Sequence, residues 1–332
     1  MERIEALQRW LTERLGGCGF EFAPASADAS FRRYFRVTLA DGTTRIVMDA
    51  PPEHEDVRPW LHVQRLFAAA GAHVPEVLAA DVAKGFLLIS DLGSTTYLSA
   101  LQAGADADAL YRAALDTLLD IQAASRPGLL PSYDRTLLQR ELDLFPEWYL
   151  ARHLAVTLTT EERQALATVF ANILAVNLGE ARVFVHRDYH SRNLMLLDGR
   201  PGVIDFQDAV EGPLSYDLVS LFKDAYIDWP EERTLDWLAR FWEKAKKKGL
   251  PVPADFGDFF RNYEWMGVQR HLKVLGIFAR LKHRDGKAGY LKDMPRVARY
   301  LHAAASRYAA LAPLAHLLDR LENRTAQVTY TF

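Results

Sequence analysis

Near Asp91 the hydrophobic period of this chain changes, and that change limits the folds open to it. The chain opens with Ile4, Leu7, Leu11 and Leu15 at helical spacing, closed by Gly16-Gly17. From there to Asp91 it reads mainly as short strands. Segments 31–39 and 44–48 are joined by Asp41-Gly42, a strong hairpin dipeptide, and 75–80 and 85–90 follow. One helix, Asp56 to Ala70, lies between them and stops at Gly71. After Asp91 the spacing predicts helices over 106–123, 132–154, 160–177, 231–248, 255–283 (open to a break) and 295–322. The expectation is an α+β chain with two domains. Residues 1–90 form a small antiparallel sheet carrying a helix, and residues 91–332 form a mainly helical domain. A length of 332 residues is enough for two cores.

One stretch interrupts the helical part. Val185-His186-Arg187-Asp188-Tyr189-His190-Ser191-Arg192-Asn193 is a polar loop wedged between apolar segments, a costly arrangement unless its groups are paired or exposed. Two apolar runs follow, 194–197 and 202–204, separated by the turn dipeptide Asp198-Gly199. Antiparallel return of that hairpin brings Asn193 and Asp205 together. An amide oxygen and a carboxylate then converge, hard oxygen ligands suited to Mg2+, and Asp188 stands five residues before Asn193. Phosphoryl transfer needs such a set: a carboxylate to orient the attacking hydroxyl and accept its proton, and oxygen ligands for the metal on the polyphosphate. Asp188 is assigned as the base and Asn193 and Asp205 as metal ligands. His186 is expected to brace the loop backbone, with the role of base as its alternative. A metal hydrolase built on His186, Asp188 and His190 would leave the asparagine and the hairpin unexplained.

Charge and cysteine content exclude other classes. A net charge of −3 gives no basic surface for nucleic acid, and Lys244, Lys246, Lys247 and Lys248 read as a solvated helix turn. A lone Cys18 permits no intrachain disulfide and no cysteine metal site, which fits a reducing compartment, so a cytoplasmic chain is expected. Met1 to Glu5 lacks the order of a signal peptide. Residues 164–179 are too short for a membrane span and contain Asn172 and Asn177.

Two segments mix acids, bases and aromatics: 141–150, with Glu141 and Tyr149, and 263–273, with Trp265 and Arg270. Aromatic faces with hydrogen-bonding groups suit a sugar, and an aromatic box for a quaternary ammonium is the other reading. Arg270, His271 and Lys273 speak against a cation at the second segment, and helix core accounts equally well for the aromatics. Glu141, Tyr149, Trp265 and Arg270 are the acceptor candidates, and a small molecule is the expected partner of what is taken to be a monomer.

The loop resembles the His-Arg-Asp…Asn catalytic loop of protein kinases. It is still more similar to the aminoglycoside-phosphotransferase and choline-kinase group, whose Ile-Asp metal-binding strand end is matched by Val203-Ile204-Asp205-Phe206-Gln207-Asp208. The resemblance implies a protein-kinase-like bilobal fold that uses ATP and Mg2+. It implies that Asp217, in Gly212-Pro213-Leu214-Ser215-Tyr216-Asp217-Leu218, braces the catalytic loop, although a helix cap is an equally comfortable reading. It implies that Leu87 to Gly93 is the hinge, with Ile89 and Asp91 at the adenine, and that the small-residue loop 25–30, ending in Ser30, covers the phosphates. The usual lysine of the third strand is absent, its place taken by Met48. Arg32, Arg33 and Arg36 are local substitutes with Arg45 behind them, and Arg33 is the choice made.

Nearly end to end, the chain resembles the bacterial anomeric kinases that phosphorylate N-acetylmuramate and N-acetylglucosamine in cell-wall recycling. The resemblance is carried by Ser30-Phe31-Arg32-Arg33-Tyr34-Phe35-Arg36, residues 46–52 and residues 269–278. The implied reaction phosphorylates the C1 hydroxyl of an amino sugar, with Arg270 meeting the lactyl carboxylate of N-acetylmuramate. The alternatives are an aminoglycoside, choline or other small-alcohol kinase, and a non-catalytic pseudokinase scaffold. A protein kinase is excluded by the missing activation segment after Asp205.

Overall fold

The computed structural model describes residues 2–26 and 31–329, with side chains except those of Ser26 and residues 323–329. The chain folds into two compact units: Met1–Ala124 with Arg192–Ala209, and Ser125–Ser191 with Val210–Phe332.

The first unit begins with α1 (Glu2–Arg14), β1 (Phe20–Ser26), β2 (Arg33–Leu39), β3 (Thr44–Asp49), α2 (Val57–Ala69), β4 (Val77–Asp81) and β5 (Phe86–Ser90). The five strands make one antiparallel sheet in the order β1-β2-β3-β5-β4. Leu7, Trp10 and Leu11 form one face of α1 and are buried with Val37, Val47, Phe86 and Leu88 of the sheet. Each such side chain stabilises by about 1.5–3 kcal/mol. The β2–β3 turn is the predicted hairpin: Gly42 takes φ 82° and Asp41 Oδ1 accepts the Thr43 amide at 2.8 Å. α2 starts where expected, capped by Asp56, whose side chain accepts the Arg58 amide. β1 is not foreseen by the sequence pattern, because Pro24 argues against a strand. At the sheet edge a proline is tolerated, and the register shifts between Pro24 and Ser26. α3 (Tyr97–Gln102) and α4 (Ala107–Ala123) follow.

The second unit begins with α5 (Arg135–Leu144), a π-helical segment (Phe145–His153), α6 (Thr160–Leu178) and β6 (Arg182–Val185). A hairpin belonging to the first unit comes next, β7 (Leu194–Met195) paired with β8 (Gly202–Val203). The second unit then resumes with β9 (Val210–Pro213), antiparallel to β6, and with α7 (Tyr216–Phe222), α8 (Glu231–Lys247), α9 (Phe256–Asp285), α10 (Met294–Ala305) and α11 (Ala312–Thr329).

Three helical expectations are corrected or settled. Segment 132–154 is not one α-helix. Pro146 has no amide to donate, and the turn after it widens until the Leu154 amide donates to the Tyr149 carbonyl, five residues back. Segment 295–322 is broken at Tyr308, which is extended at φ −122° and ψ 121°. Its hydroxyl donates to buried Glu264 at 2.6 Å. α9 runs unbroken for 30 residues, capped by Asp255 and ended by Gly286 in the left-handed region. Gly276 permits its close contact with the C-terminus of α5: a Cβ there would lie 2.5 Å from Leu144 Cβ. Among the described residues no helix is long and apolar enough to cross a membrane.

Candidate active site

Asn193 and Asp205 stand at the open end of the β7–β8 hairpin, as its turn chemistry predicts. Leu194 faces Val203 and Met195 faces Gly202, and the Ile204 amide donates to the Asn193 carbonyl at 3.1 Å. The hairpin is tied into its own unit by the Val203 amide on the His73 carbonyl (2.7 Å) and the Leu196 amide on that of Thr95 (2.8 Å). Fully buried Phe206 packs on Trp60 and Phe67 of α2, with ring centroids 5.0 and 5.9 Å away. These contacts fix Asp205 in a left-handed conformation, φ 62°, which aspartate tolerates better than most residues. Its carboxylate accepts Asn193 Nδ2 at 3.3 Å and Gln207 Nε2 at 2.8 Å. An amide and a carboxylate on fixed backbone supply the hard-oxygen chemistry that a divalent cation takes, with the amide turned to present Oδ1.

Around this pair the arginines sort themselves. Arg33 is bound by Asp49, directly opposite it in the β2–β3 register. Asp49 is fully buried and also accepts Arg3 Nε at 2.8 Å. The expectation that Arg33 faces the phosphates is therefore corrected: it neutralises Asp49. The turn spans three residues, 40–42, with the Leu39 amide on the Thr43 carbonyl, and that register sets residue 33 opposite 49. Arg36 donates to Asp91 at 2.6 and 3.1 Å and to the Gly93 carbonyl at 3.1 Å. Burial acts to raise the Asp91 carboxyl, but the hydrogen bonds from Arg36, Thr44 and Gly93 outweigh it and keep the group below its ordinary value. Arg32 is the arginine near the pair, with NH2 4.0 Å from Asp205 Oδ1 and NH1 3.9 Å from Glu55. Met48, at the place of the missing lysine, is fully buried. Ile89 lies within the ladder opposite Ile46 and Val77, whereas Asp91 is just past the last pair, Arg45–Ser90. Ser30 is outside the described residues.

In the second unit a separate cluster organises Asp188. Asp217, fully buried at the start of α7, accepts the His186 amide at 2.7 Å and the Arg187 amide at 3.0 Å. At the far end of the loop, buried Asp224 accepts the Ser191 amide at 3.0 Å and the Tyr226 amide at 2.9 Å. Two aspartates flanking one short helix thus clamp both ends of the segment 186–191. Asp224 was missed in the sequence. Buried His186 accepts the Asp188 amide at Nδ1, 3.2 Å. Arg187 is held at φ 76°, a strained value for its type.

Behind Asp188 lies a network in which most of the charged side chains are buried. Arg270 NH2 donates to Asp188 Oδ1 at 3.3 Å and NH1 to the Arg187 carbonyl at 2.6 Å. Lys273 Nζ meets the Tyr216 hydroxyl at 2.9 Å and Glu141 at 3.0 Å. Glu141 also receives Arg187 at 2.7 Å and the Tyr133 hydroxyl. Burial alone would raise the Asp188 carboxyl, yet the charges of Lys273 and Arg270, then His190 and Arg187, hold it well below the usual carboxylate range. Its side chain remains 42 % exposed. A carboxylate so held is ionised, oriented and still accessible. The same geometry corrects three acceptor assignments. Glu141 and Arg270 are buried in this network, and Trp265 is buried against Tyr308 at 5.6 Å. Tyr149 is half-buried, stacked between Phe145 and His153.

α7 is itself anchored by Glu180, which accepts the Ser215 amide at 3.1 Å and its hydroxyl at 2.7 Å. Burial pushes Glu180 up to about 7 against those hydrogen bonds, from an ordinary 4.5. Below pH 4.5 the group is protonated in folded and unfolded chains alike. Above 7 the folded chain must hold a buried charge that water solvates in the unfolded chain, so its stabilising contribution is lost as pH rises through 7. Glu180→Gln keeps a donor and an acceptor for Ser215 and removes that titration. Its stability relative to wild type is expected to rise by about 3 kcal/mol between pH 4 and pH 8. Urea unfolding at both pH values reads this difference, and a constant difference would refute it.

A profile of the phosphotransferase enzyme family matches residues 21–256. The chain is 48 % identical to the N-acetylmuramate/N-acetylglucosamine kinase of Neisseria meningitidis serogroup B, over 100 % of both chains. It is 53 % identical to the protein of that name from Pseudomonas aeruginosa, over 91 % of this chain and 88 % of the relative. Among solved structures, choline kinase LicA from Streptococcus pneumoniae superposes with a TM-score of 0.63 at 13 % identity, over 90 % of this chain and 99 % of that one. An ADP-bound aminoglycoside phosphotransferase, APH(2'')-Ib, gives 0.60 at 15 %, over 89 % and 97 %. The protein-kinase-like architecture expected from the sequence is therefore present, with a five-stranded antiparallel sheet in the N-terminal region and a mostly helical remainder. On these grounds the chain belongs to the phosphotransferase enzyme family.

Proposed function

We propose that this chain transfers the terminal phosphoryl group of ATP, taken as its magnesium complex, to the C1 hydroxyl of N-acetylmuramate and N-acetylglucosamine. The observation that carries the substrate is the 48 % identity, over the whole of both chains, to a kinase named for those two sugars. The chemistry is supported by the separate geometry of two residue sets. Asn193 and Asp205 carry the donor atoms for the cation, and Asp188 carries an ionised carboxylate with exposed surface. Residues 1–90 provide the nucleotide-covering part in this reading and residues 91–332 the acceptor part.

Asp188 orients the sugar hydroxyl and receives its proton as the C1 oxygen bonds to the γ-phosphorus. The bond from that phosphorus to ADP breaks in the same displacement. A divalent cation held by Asn193 and Asp205 would spread the charge of the polyphosphate. Arg270 and Lys273 keep Asp188 anionic until the proton arrives. His186, Asp217 and Asp224 hold the loop so that it does not reorganise during the reaction. Asp91 marks the strand end where main-chain groups meet adenine. An anomeric hydroxyl is more acidic than other sugar alcohols, which suits a base of low proton affinity. All of these residues belong to one chain, so a monomer suffices. Use of ATP, with a single cysteine, fits the cytoplasm.

The test is a phosphorylation screen with magnesium-ATP over N-acetylmuramate, N-acetylglucosamine, an aminoglycoside and choline, the product being read by phosphorus and proton NMR. The two amino sugars are expected to yield 1-phosphates. Phosphate on another carbon, or turnover only of the aminoglycoside or choline, would overturn the proposal.

A further inference from the structure

A lysine charge withdrawn from water is costly unless an anion meets it. Lys223, at the C-terminal end of α7, departs from that rule. Its side chain is half-buried and lies over the face of Tyr263, with Nζ 5.2 Å from the ring centroid. Among the described residues Nζ has no hydrogen bond and no ion pair. The carboxylates whose charge reaches it are occupied. Arg307 binds Glu264 at 2.5 Å and Glu231 at 2.7 Å, and the Tyr308 hydroxyl also donates to Glu264. Burial therefore prevails and holds the Lys223 amine below its ordinary value.

Other unpartnered polar groups stand around it. Tyr263 and His271, one helical turn before and after Gly267 on α9, are buried. Neither the tyrosine hydroxyl nor either imidazole nitrogen has a hydrogen-bond partner among the described residues. Gly267 leaves a gap between them. A Cβ there would lie 3.7 Å from His271 Cε1 and 3.9 Å from both Lys223 Nζ and Val219 Cγ1. Tyr300 covers His271 with its ring, 5.3 Å away, while its own hydroxyl donates to Asp228. An ammonium, a phenol and an imidazole thus gather along one face of α9, and all three can donate. We infer that this cluster binds a small monovalent anion such as chloride, held by Lys223 Nζ with the Tyr263 hydroxyl and the His271 N–H as further donors. Ordered water could satisfy Tyr263 and His271, but it would not bring the negative charge that Lys223 lacks. The site is separate from Asp188 and its network. It adjoins the helix end where Asp224, the next residue, holds the Ser191 amide.

Chlorine-35 NMR of the full chain, with chloride as the probe and gluconate holding the ionic strength constant, tests this. Wild type is expected to broaden the chloride line saturably. Lys223→Met removes the charge at similar length and is expected to weaken chloride binding by on the order of 10- to 100-fold, the range for lost charge-assisted hydrogen bonds. Tyr263→Phe deletes one hydroxyl and is expected to weaken it by on the order of 10-fold. Chloride drawn to other basic groups contributes alike to all three proteins, so the differences isolate this cluster. Thermal melting gives a second reading: the wild-type transition is expected to rise when chloride replaces gluconate, and that of Lys223→Met to stay where it is. The inference is overturned if either variant binds chloride like wild type, so a Lys223→Met chain that failed to fold would leave Tyr263→Phe to decide. It is also overturned if wild type melts at the same temperature in both salts, as a pocket filled only by water would.

Discussion

Asp188→Asn is expected to lower turnover by on the order of 10²-fold or more at saturating concentrations of both substrates, with nucleotide affinity retained. The substitution changes little except the proton chemistry. Asparagine has the same shape, and its carbonyl oxygen can still accept Arg270 NH2, which sits 3.3 Å from Asp188 Oδ1. The loop is held by His186, Asp217 and Asp224 through amides that the substitution does not touch. What disappears is the acceptor for the hydroxyl proton, together with the negative charge that balances Arg270 and Lys273. Steady-state kinetics with both substrates saturating isolates that loss, because any weakening of sugar or nucleotide binding is hidden under those conditions. Unchanged turnover would remove Asp188 from the chemistry.

The parts of the site that were legible in the sequence are those whose determinants are local. Asp198-Gly199 between two apolar runs specifies a tight hairpin, and a hairpin joins its own ends, so Asn193 and Asp205 could be paired from twelve residues of chain. Asp41-Gly42 marks β2 and β3 in the same way, but the turn closes with three residues, 40–42, so the dipeptide alone does not identify Asp49 as the partner of Arg33. The illegible parts depend on contacts distant in the chain. α9 has a nearly continuous buried run from Tyr263 to Lys273, so helical periodicity gives no sign of which face its charged residues serve. Arg270 meets a carboxylate 82 residues earlier, and Lys273 meets Glu141 on α5. Arg270 was read as acceptor-facing, because a charge on an aromatic-rich helix looks like a binding residue until its buried partner is known. Helix breaks were hidden for a related reason. Pro146 and Tyr308 disturb backbone bonding without interrupting the apolar pattern, and the pattern is all that periodicity measures.

Asp205→Asn is expected to remove productive use of magnesium-ATP, lowering kcat/KM by on the order of 10³-fold. The choice of asparagine matters because of the backbone. Asp205 sits at φ 62°, a region that asparagine enters as readily as aspartate but alanine does not. Asp205→Ala would therefore add strain of about 1 kcal/mol to the loss of a ligand, and a fall in activity could then be ascribed to a loosened hairpin. With asparagine the Phe206 anchor on α2 and the Val203–His73 bond remain, so the melting temperature should stay within a few degrees of wild type. The remaining change is one negative charge beside Asn193 and Arg32. If that charge holds the cation, the magnesium concentration giving half-maximal activity should rise sharply. Loss of a carboxylate charge beside the polyphosphate should, in contrast, leave metal-free nucleotide affinity unchanged or higher. That opposition separates a metal ligand from a general binding residue. A variant with wild-type activity across a magnesium titration would show that Asp205 does not hold the metal.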